Sequence, residues 1–156
     1  MQKASIFLIS TLLILSSCGS YSPKELSSTQ GFSISYPSNF VAGKDTSRWI
    51  ALTDKSTGTI IVINKTEVVN PKTDNEIIQW YNSKSPVENS GEFSANWHKW
   101  AFVEFTTKYT STAMYHRDSW IHEWGYVYGI ACTTKETEKS NIQKVCSNIS
   151  SSLKIK

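Results

Sequence analysis

The stretch WHKWAFVEFTTKYTSTAMYHRDSWIHEWGYVYGIACT, residues 97–133, decides the fold of this chain because it is almost continuously aromatic and β-branched. Such side chains favour strands over helices. Short polar or glycine-containing interruptions divide the stretch, and they predict three strands at residues 97–109, 114–124 and 126–133. We expect these strands to form an antiparallel meander.

The first of these strands is apolar on both of its faces. Successive strand residues point to opposite sides of a sheet. Trp100 and Phe102 therefore share one face, and Ala101, Val103 and Phe105 share the other. A strand with two apolar faces is typical of the interior of a sheet that is covered on both sides.

The first hairpin has a definite expected register. If residues 110–111 form its turn, paired residues have numbers that add to about 221, so His98 lies opposite Glu123 and His122 follows on the other face. His116 and His122 are about 20 Å apart along an extended strand, too far for one metal ion. We expect ordinary cross-strand polar pairs here. A metal or acid–base site that joins His98 to Glu123 or His122 is the alternative.

Four tryptophans belong to the same hairpin: Trp97, Trp100, Trp120 and Trp124. Together they could form a flat aromatic surface that binds a sugar or a peptide. Packing in the core and across strands is the more common role of such residues. Exposure of several rings to water would favour the binding surface.

The first 18 residues have the pattern of an exported lipoprotein precursor. Lys3 precedes an apolar run at Ile6–Leu15, which is typical of a signal peptide and too short to span a bilayer. The sequence Leu-Ser-Ser-Cys at residues 15–18 resembles the bacterial lipobox, so we expect cleavage after residue 17 and acylation of Cys18. An ordinary signal peptide with an incidental cysteine is the alternative. Gly19, rather than aspartate, follows the cysteine, which favours the periplasmic face of the outer membrane if the source is Gram-negative.

The rest of the chain is predicted to be a short tether and one α+β domain. Removing residues 1–17 from 156 leaves 139, enough for a single hydrophobic core. Residues 18–30 are polar and predict a flexible, lipid-anchored tether, which leaves residues 31–156 for the domain. Before residue 97 the patterns predict three strands, at residues 31–37, 48–54 and 59–68. They also predict a helix at residues 74–83 and a loop at residues 85–92.

A second helix is predicted at the C-terminus, and its position indicates how Cys132 and Cys146 pair. It starts near residues 137–140, and its apolar residues recur at helical spacing: Ile142, Val145, Cys146, Ile149 and Leu153. Cys132 lies on the preceding strand, and the two sulfurs meet if that face receives the helix. Because exported proteins meet oxidants, we predict a Cys132–Cys146 disulfide. Two buried thiols are the alternative, and zinc lacks a supporting CxxC pair or nearby histidine.

Charge and motifs argue against several classes of function. The net charge of +3 falls to +2 when Lys3 is removed with the signal peptide, and the basic residues do not cluster. A nucleic-acid partner would require a basic stripe. The motifs GxSxG, HExxH, GxGxxG and GxxxxGK[ST] are absent from the sequence. We therefore expect no catalytic residue, cofactor or bound metal.

Four segments together resemble the PsbP-like fold, which is named after an extrinsic photosystem subunit. They are GFSISYPSNF at 31–40, DNEIIQWY at 74–81, GYVYGIAC at 125–132 and SSSLKI at 150–155. Ran-binding Mog proteins and many small bacterial lipoproteins share this fold. The resemblance covers residues 31–155 and implies a twisted antiparallel sheet flanked by helices. It also implies a non-catalytic protein that binds other proteins or assists their assembly, and it assigns no binding residue.

The sequence thus favours a membrane-anchored, non-catalytic lipoprotein that binds a protein or another component of the cell envelope. Anchoring would raise the effective concentration of the domain near partners at that surface. A lipoprotein that binds a small molecule or a carbohydrate is one alternative, and it would need a deep pocket or an exposed aromatic surface. A metal-dependent enzyme that uses the hairpin histidines and glutamate is the other.

Overall fold

The computed structural model describes residues 22–109 and 111–156. The predicted signal peptide, the lipobox and Cys18 lie outside the described residues. The described elements are β1 (Pro23–Ser27), β2 (Phe32–Pro37), β3 (Val41–Ala42), β4 (Trp49–Asp54), β5 (Thr59–Glu67), α1 (Asp74–Asn82), β6 (Asn89–Ala95), β7 (His98–Tyr109), β8 (Thr112–Glu123), β9 (Tyr126–Lys135), a 3₁₀ turn (Glu136–Glu138), α2 (Lys139–Ser152) and β10 (Lys154–Ile155).

The strands form two antiparallel sheets. The larger has seven strands in the order β3-β4-β5-β9-β8-β7-β6, and the smaller has three in the order β1-β2-β10. Strands β7, β8 and β9 are the predicted meander. Ala101 pairs with Trp120 and Phe105 with His116, so the register of the first hairpin is confirmed.

The main core lies between the larger sheet on one side and α2 with the smaller sheet on the other. Helix α2 buries the predicted apolar stripe, and Cys146 of that stripe forms a disulfide with Cys132 of β9. Both cysteines are fully buried. The predicted α+β class and the predicted disulfide are confirmed, because the strand face that carries Cys132 is the one that receives the helix.

Helix α1 covers part of the opposite face of the larger sheet. It begins with a capping box, in which the Thr73 hydroxyl accepts a hydrogen bond from the Glu76 amide and the Glu76 carboxylate accepts one from the Thr73 amide at 2.7 Å. Ile77 and Tyr81 of the helix pack on a second, smaller cluster around Val103. Farther along the same face, Trp49 and Ile60 are exposed and Val62 is half-buried, so the helix leaves part of this sheet face open.

Two of the sequence predictions are wrong, and both concern edge strands. Residues 23–27, expected within the flexible tether, form β1 and pair with β2, so the ordered domain begins before Gly31. The predicted loop at residues 85–92 runs into β6, which starts at Asn89. In β1 only Leu26 packs against the core, and in β6 only Phe93 and Ala95 do, so each strand has too few apolar residues to give a clear alternating pattern in the sequence.

Candidate functional site

Two adjacent turns at one end of the larger sheet expose tryptophans to solvent. Asn96 and Trp97 connect β6 to β7, and Trp124 and Gly125 connect β8 to β9. The side chain of Trp97 is fully exposed and that of Trp124 is 76% exposed. We call these two segments the tryptophan turns. They are neighbours because β7 begins beside the end of β8.

The backbone of the tryptophan turns does not favour tryptophan. The φ angles are 49° and 68° at Asn96 and Trp97, and 49° and 80° at Trp124 and Gly125. Two-residue hairpin turns with positive φ at both central positions prefer asparagine and glycine. A bulky side chain in this region is strained by contact of its Cβ with the backbone. Trp97 and Trp124 therefore add little to folding through either packing or backbone conformation.

The candidate surface of all four tryptophans does not form, because two of them pack in the interior as the default interpretation expected. Trp100 is fully buried in the main core, and Trp120 is 5% exposed on the opposite face of the sheet under α1. The indole Nε1 of Trp120 donates a hydrogen bond to Asp74 Oδ1 at 2.7 Å. The alternation of strand side chains places these two residues on opposite faces, while Trp97 and Trp124 project from turns.

The hairpin histidines form separate polar pairs. His98 Nδ1 lies 2.8 Å from Glu123 Oε1, as the register predicts, and this pair joins the bases of the tryptophan turns. His122 Nε2 lies 3.5 Å from an oxygen of Asp74. His116 sits between two threonine hydroxyls, and burial lowers its pKa. Among residues 22–109 and 111–156, no three histidine, cysteine, aspartate or glutamate side chains are placed to hold a metal ion.

A groove of about 250 Å³ opens beside α1 on the partly covered face of the sheet. Its floor is the middle of β9, where Gly129 lies between Trp120 of β8 and Asn64 of β5. The Asn64 side chain lies over this glycine, since a Cβ at position 129 would stand 2.3 Å from Asn64 Oδ1. A larger residue at this position would therefore displace the amide and fill the groove.

Asp118 gives the groove a carboxyl group. Its Oδ2 accepts a hydrogen bond from the Tyr81 hydroxyl at 2.7 Å. Burial raises the pKa of Asp118, and this hydrogen bond only partly opposes the effect. A carboxyl group that is costly to ionise at the side of a groove is a candidate for binding rather than for stability.

The architecture is similar to that of several solved structures. Cyanobacterial PsbP from Synechocystis superposes with a TM-score of 0.65 at 14% identity, covering 91% of this chain and 99% of that one. LpqN of Mycobacterium tuberculosis, described as involved in cell envelope biogenesis, superposes with a TM-score of 0.59 at 10% identity, covering 87% and 85%. A Bacteroides thetaiotaomicron protein gives 0.66 at 12% identity, covering 85% of this chain and 48% of its own.

The chain has a PsbP-like fold. This confirms the resemblance drawn from the sequence, and at these identities the likeness shows the fold alone. No family model and no curated protein sequence matches the chain.

The PsbP-like domain shows no helix, within its described residues, that is long and apolar enough to cross a membrane. The sequence indicates Trp97 and Trp124 as candidate binding residues, but it does not reveal their positive φ angles. The groove was not predicted, although Gly129 and Ala131 in an otherwise bulky strand signal a shallow floor.

Replacing Asp118 by asparagine is expected to stabilise the PsbP-like domain by about 1–2 kcal/mol at neutral pH, the cost of a poorly solvated polar group. The amide can still accept the Tyr81 hydrogen bond. Because the pKa of Asp118 is raised on folding, the carboxylate costs stability at high pH and the cost disappears as the group is protonated. In urea unfolding, the free energy of unfolding of Asp118→Asn should therefore exceed that of the wild type, and the difference should shrink as pH falls. A loss of stability at neutral pH would contradict this account.

Proposed function

We propose that this protein is a lipid-anchored, non-catalytic binding protein of the cell envelope, and that its tryptophan turns bind a protein partner. The observation that carries the proposal is Trp97, which is fully exposed in a backbone conformation that favours glycine. Such an outlier supports a hypothesis of function when neither packing nor backbone preference explains it. Tryptophan is also enriched among the residues that dominate protein–protein binding energies.

The position of β1 indicates which end of the domain would face the bilayer if Cys18 is acylated. The turn between β1 and β2 lies near the tryptophan-turn end, since Lys65 Nζ donates to Gln30 O at 3.1 Å and lies 4.0 Å from the centre of the Tyr126 ring. Pro23 starts β1 at the other end of this strand pair, opposite Pro37. The four residues between Cys18 and Pro23 span at most about 18 Å from one to the other. A lipid on Cys18 would thus hold the domain near the bilayer, with the tryptophan turns at the far end.

The anchor is tested by replacing Cys18 with serine. We expect the variant to leave the membrane fraction, because two or three acyl chains anchor stably and their removal leaves no lipid. Ser17→Ala is the matched control, since alanine also satisfies the small-residue position of the lipobox. Fractionation and intact mass of the mature protein are the measurements. Retention of Cys18→Ser in membranes, with no acyl mass on the wild type, would contradict the proposal.

The binding surface is tested by replacing Trp97 or Trp124 with glycine. Each change should keep or raise stability, by up to about 1 kcal/mol, because glycine adopts positive φ without strain. Partner binding should fall by at least tenfold if the indole is a dominant contact. Trp80→Ala is the control, because Trp80 is half-exposed on α1 and belongs to neither of these turns.

Binding is measured by photo-crosslinking in native membranes. A photoreactive aromatic residue at position 124, which keeps a ring in place of the indole, should give a defined protein adduct that disappears when Trp97→Gly is added, whereas the same residue at position 80 should not give that adduct. The affinity of the partner identified in this way is then compared among the variants. Equal affinities for wild type and both glycine variants would exclude the tryptophan turns as the binding surface.

A further inference from the structure

The groove beside α1 has a charge pattern that its own residues do not balance. Among the described residues that line it, Asp118 has the only carboxyl group, and none has an amino, guanidinium or imidazole group. Tyr81 occupies one carboxylate oxygen, and within residues 22–109 and 111–156 no hydrogen bond reaches the other. A carboxylate with a free oxygen and no neighbouring cation is complementary to a positively charged ligand.

Aromatic rings lie at the same place. The rings of Tyr81 and Trp120 are nearly parallel, with their centres 6.2 Å apart, and both residues line the groove. Aromatic faces attract ammonium groups, and they do so more strongly where water is excluded. The groove therefore offers an ammonium group two kinds of favourable contact, an anionic oxygen and aromatic rings.

The remaining walls limit the size and polarity of a ligand. Ile77 and Val127 are apolar, and Asn64 contributes an amide whose Nδ2 makes only a 3.5 Å hydrogen bond to Thr66. The volume of about 250 Å³ is below the range of pockets that hold drug-sized molecules. A short aliphatic chain fits these walls, and a polar group on it can reach Asn64.

We propose that this groove binds a primary ammonium group carried on a short aliphatic chain. The Asp118 carboxylate receives the ammonium group, and the chain lies against Ile77 and Val127, beside the Asn64 amide that covers Gly129. The ligand can be a free alkyl diamine or a lysine side chain, which share this chemistry. The groove is separate from the tryptophan turns, so this proposal stands or falls independently of the proposed protein-binding surface.

The test is an NMR titration of the ¹⁵N-labelled protein with cadaverine, with 1,5-pentanediol and with Nα-acetyl-lysine amide, whose side-chain amine is free. Cadaverine should shift the Trp120 indole and the Gly129 amide signals with millimolar affinity, and the uncharged diol should bind at least tenfold more weakly. Preference for the lysine derivative over cadaverine would assign the site to a protein side chain, and the reverse order would assign it to a free diamine.

Two variants make the proposal falsifiable. Asp118→Asn should reduce cadaverine affinity at least tenfold, whereas Glu123→Gln, at the end of β8, should not change it. Gly129→Ala should fold, because the Asn64 amide can swing away, but its methyl group should block binding. The proposal is overturned if the diol binds as tightly as cadaverine, if Asp118→Asn binds like wild type, or if no probe shifts these signals at 50 mM.

Discussion

Replacing Arg117 by methionine is expected to destabilise the domain by about 3–5 kcal/mol, because it leaves a buried carboxylate without its cation. Arg117 of β8 and Glu104 of β7 form an ion pair and are 8% and 2% exposed. Gln143 of α2 and Asn89 of β6 each donate a hydrogen bond of 3.1 Å to the same carboxylate. The pair thus connects three strands of the sheet to the helix that covers it.

The pH dependence of this loss has a definite sign. Burial raises the pKa of Glu104, but its hydrogen bonds and the Arg117 charge together outweigh burial and hold the pKa below its ordinary value. The stabilising contribution is therefore present at neutral pH and is lost as pH falls through the lowered pKa. In Arg117→Met, Glu104 can escape the penalty by binding a proton, so the cost of the substitution should be smaller at pH 5 than at pH 7.

Chemical unfolding followed by tryptophan fluorescence measures the effect, and the same hairpin region supplies the control. Lys99 and Glu92 also form an ion pair, at 2.7 Å, but both side chains are largely exposed. Lys99→Met should therefore cost less than about 1 kcal/mol. If Arg117→Met cost no more than Lys99→Met at pH 7, the buried pair would not have the role assigned to it.

Removing the disulfide is expected to cost about 3 kcal/mol, the second large effect. Cys132 and Cys146 are 14 residues apart, and opening a loop of this length restores conformational freedom mainly to the unfolded chain. Helix α2 should remain docked in the reduced protein, because Ile142, Ile149 and Leu153 still bury their side chains against the sheets. The native state should thus keep its structure while its free energy of unfolding decreases.

Unfolding with and without reductant measures this contribution. Wild type should lose about 3 kcal/mol on reduction, whereas Cys132→Ala/Cys146→Ala should be insensitive to reductant. Reduced wild type lacks the bond but keeps both sulfur atoms. The difference in stability between it and the double alanine variant therefore measures the cost of the cavities that the two alanines leave. Unchanged stability on complete reduction, verified by mass after thiol labelling, would show that the bond does not stabilise the domain.

Local patterns were sufficient for the interior of the domain. Strands β7, β8 and β9 have enough alternating apolar side chains to reveal their faces, and the turn position fixed the pairing of His98 with Glu123. The stripe on α2 placed Cys146 toward the sheet for the same reason. Strands β1 and β6 escaped prediction because they are held at sheet edges mainly by backbone hydrogen bonds, which depend little on the side chains, and because few of their residues are apolar.

The candidate sites needed more than local pattern. Trp97 and Trp100 are three residues apart with the same side chain, yet one is fully exposed and the other fully buried. The strand was predicted to start at residue 97, but β7 starts at His98, and this difference of one residue places Trp97 in a turn. Likewise, Asp118 and Asn64 lie far apart in sequence and meet at one groove only because β9 inserts between β8 and β5.

The sequence by itself determined the α+β class, the strand faces, the register of the long hairpin and the cysteine pairing, because each follows from side-chain periodicity or spacing along neighbouring elements. The tertiary structure decided which tryptophans reach solvent, how α1 leaves part of a sheet face open and where a carboxyl group stands without a cation. Those features depend on contacts between residues distant in the chain, and the free energy of such contacts is set by the packed assembly rather than by any one segment.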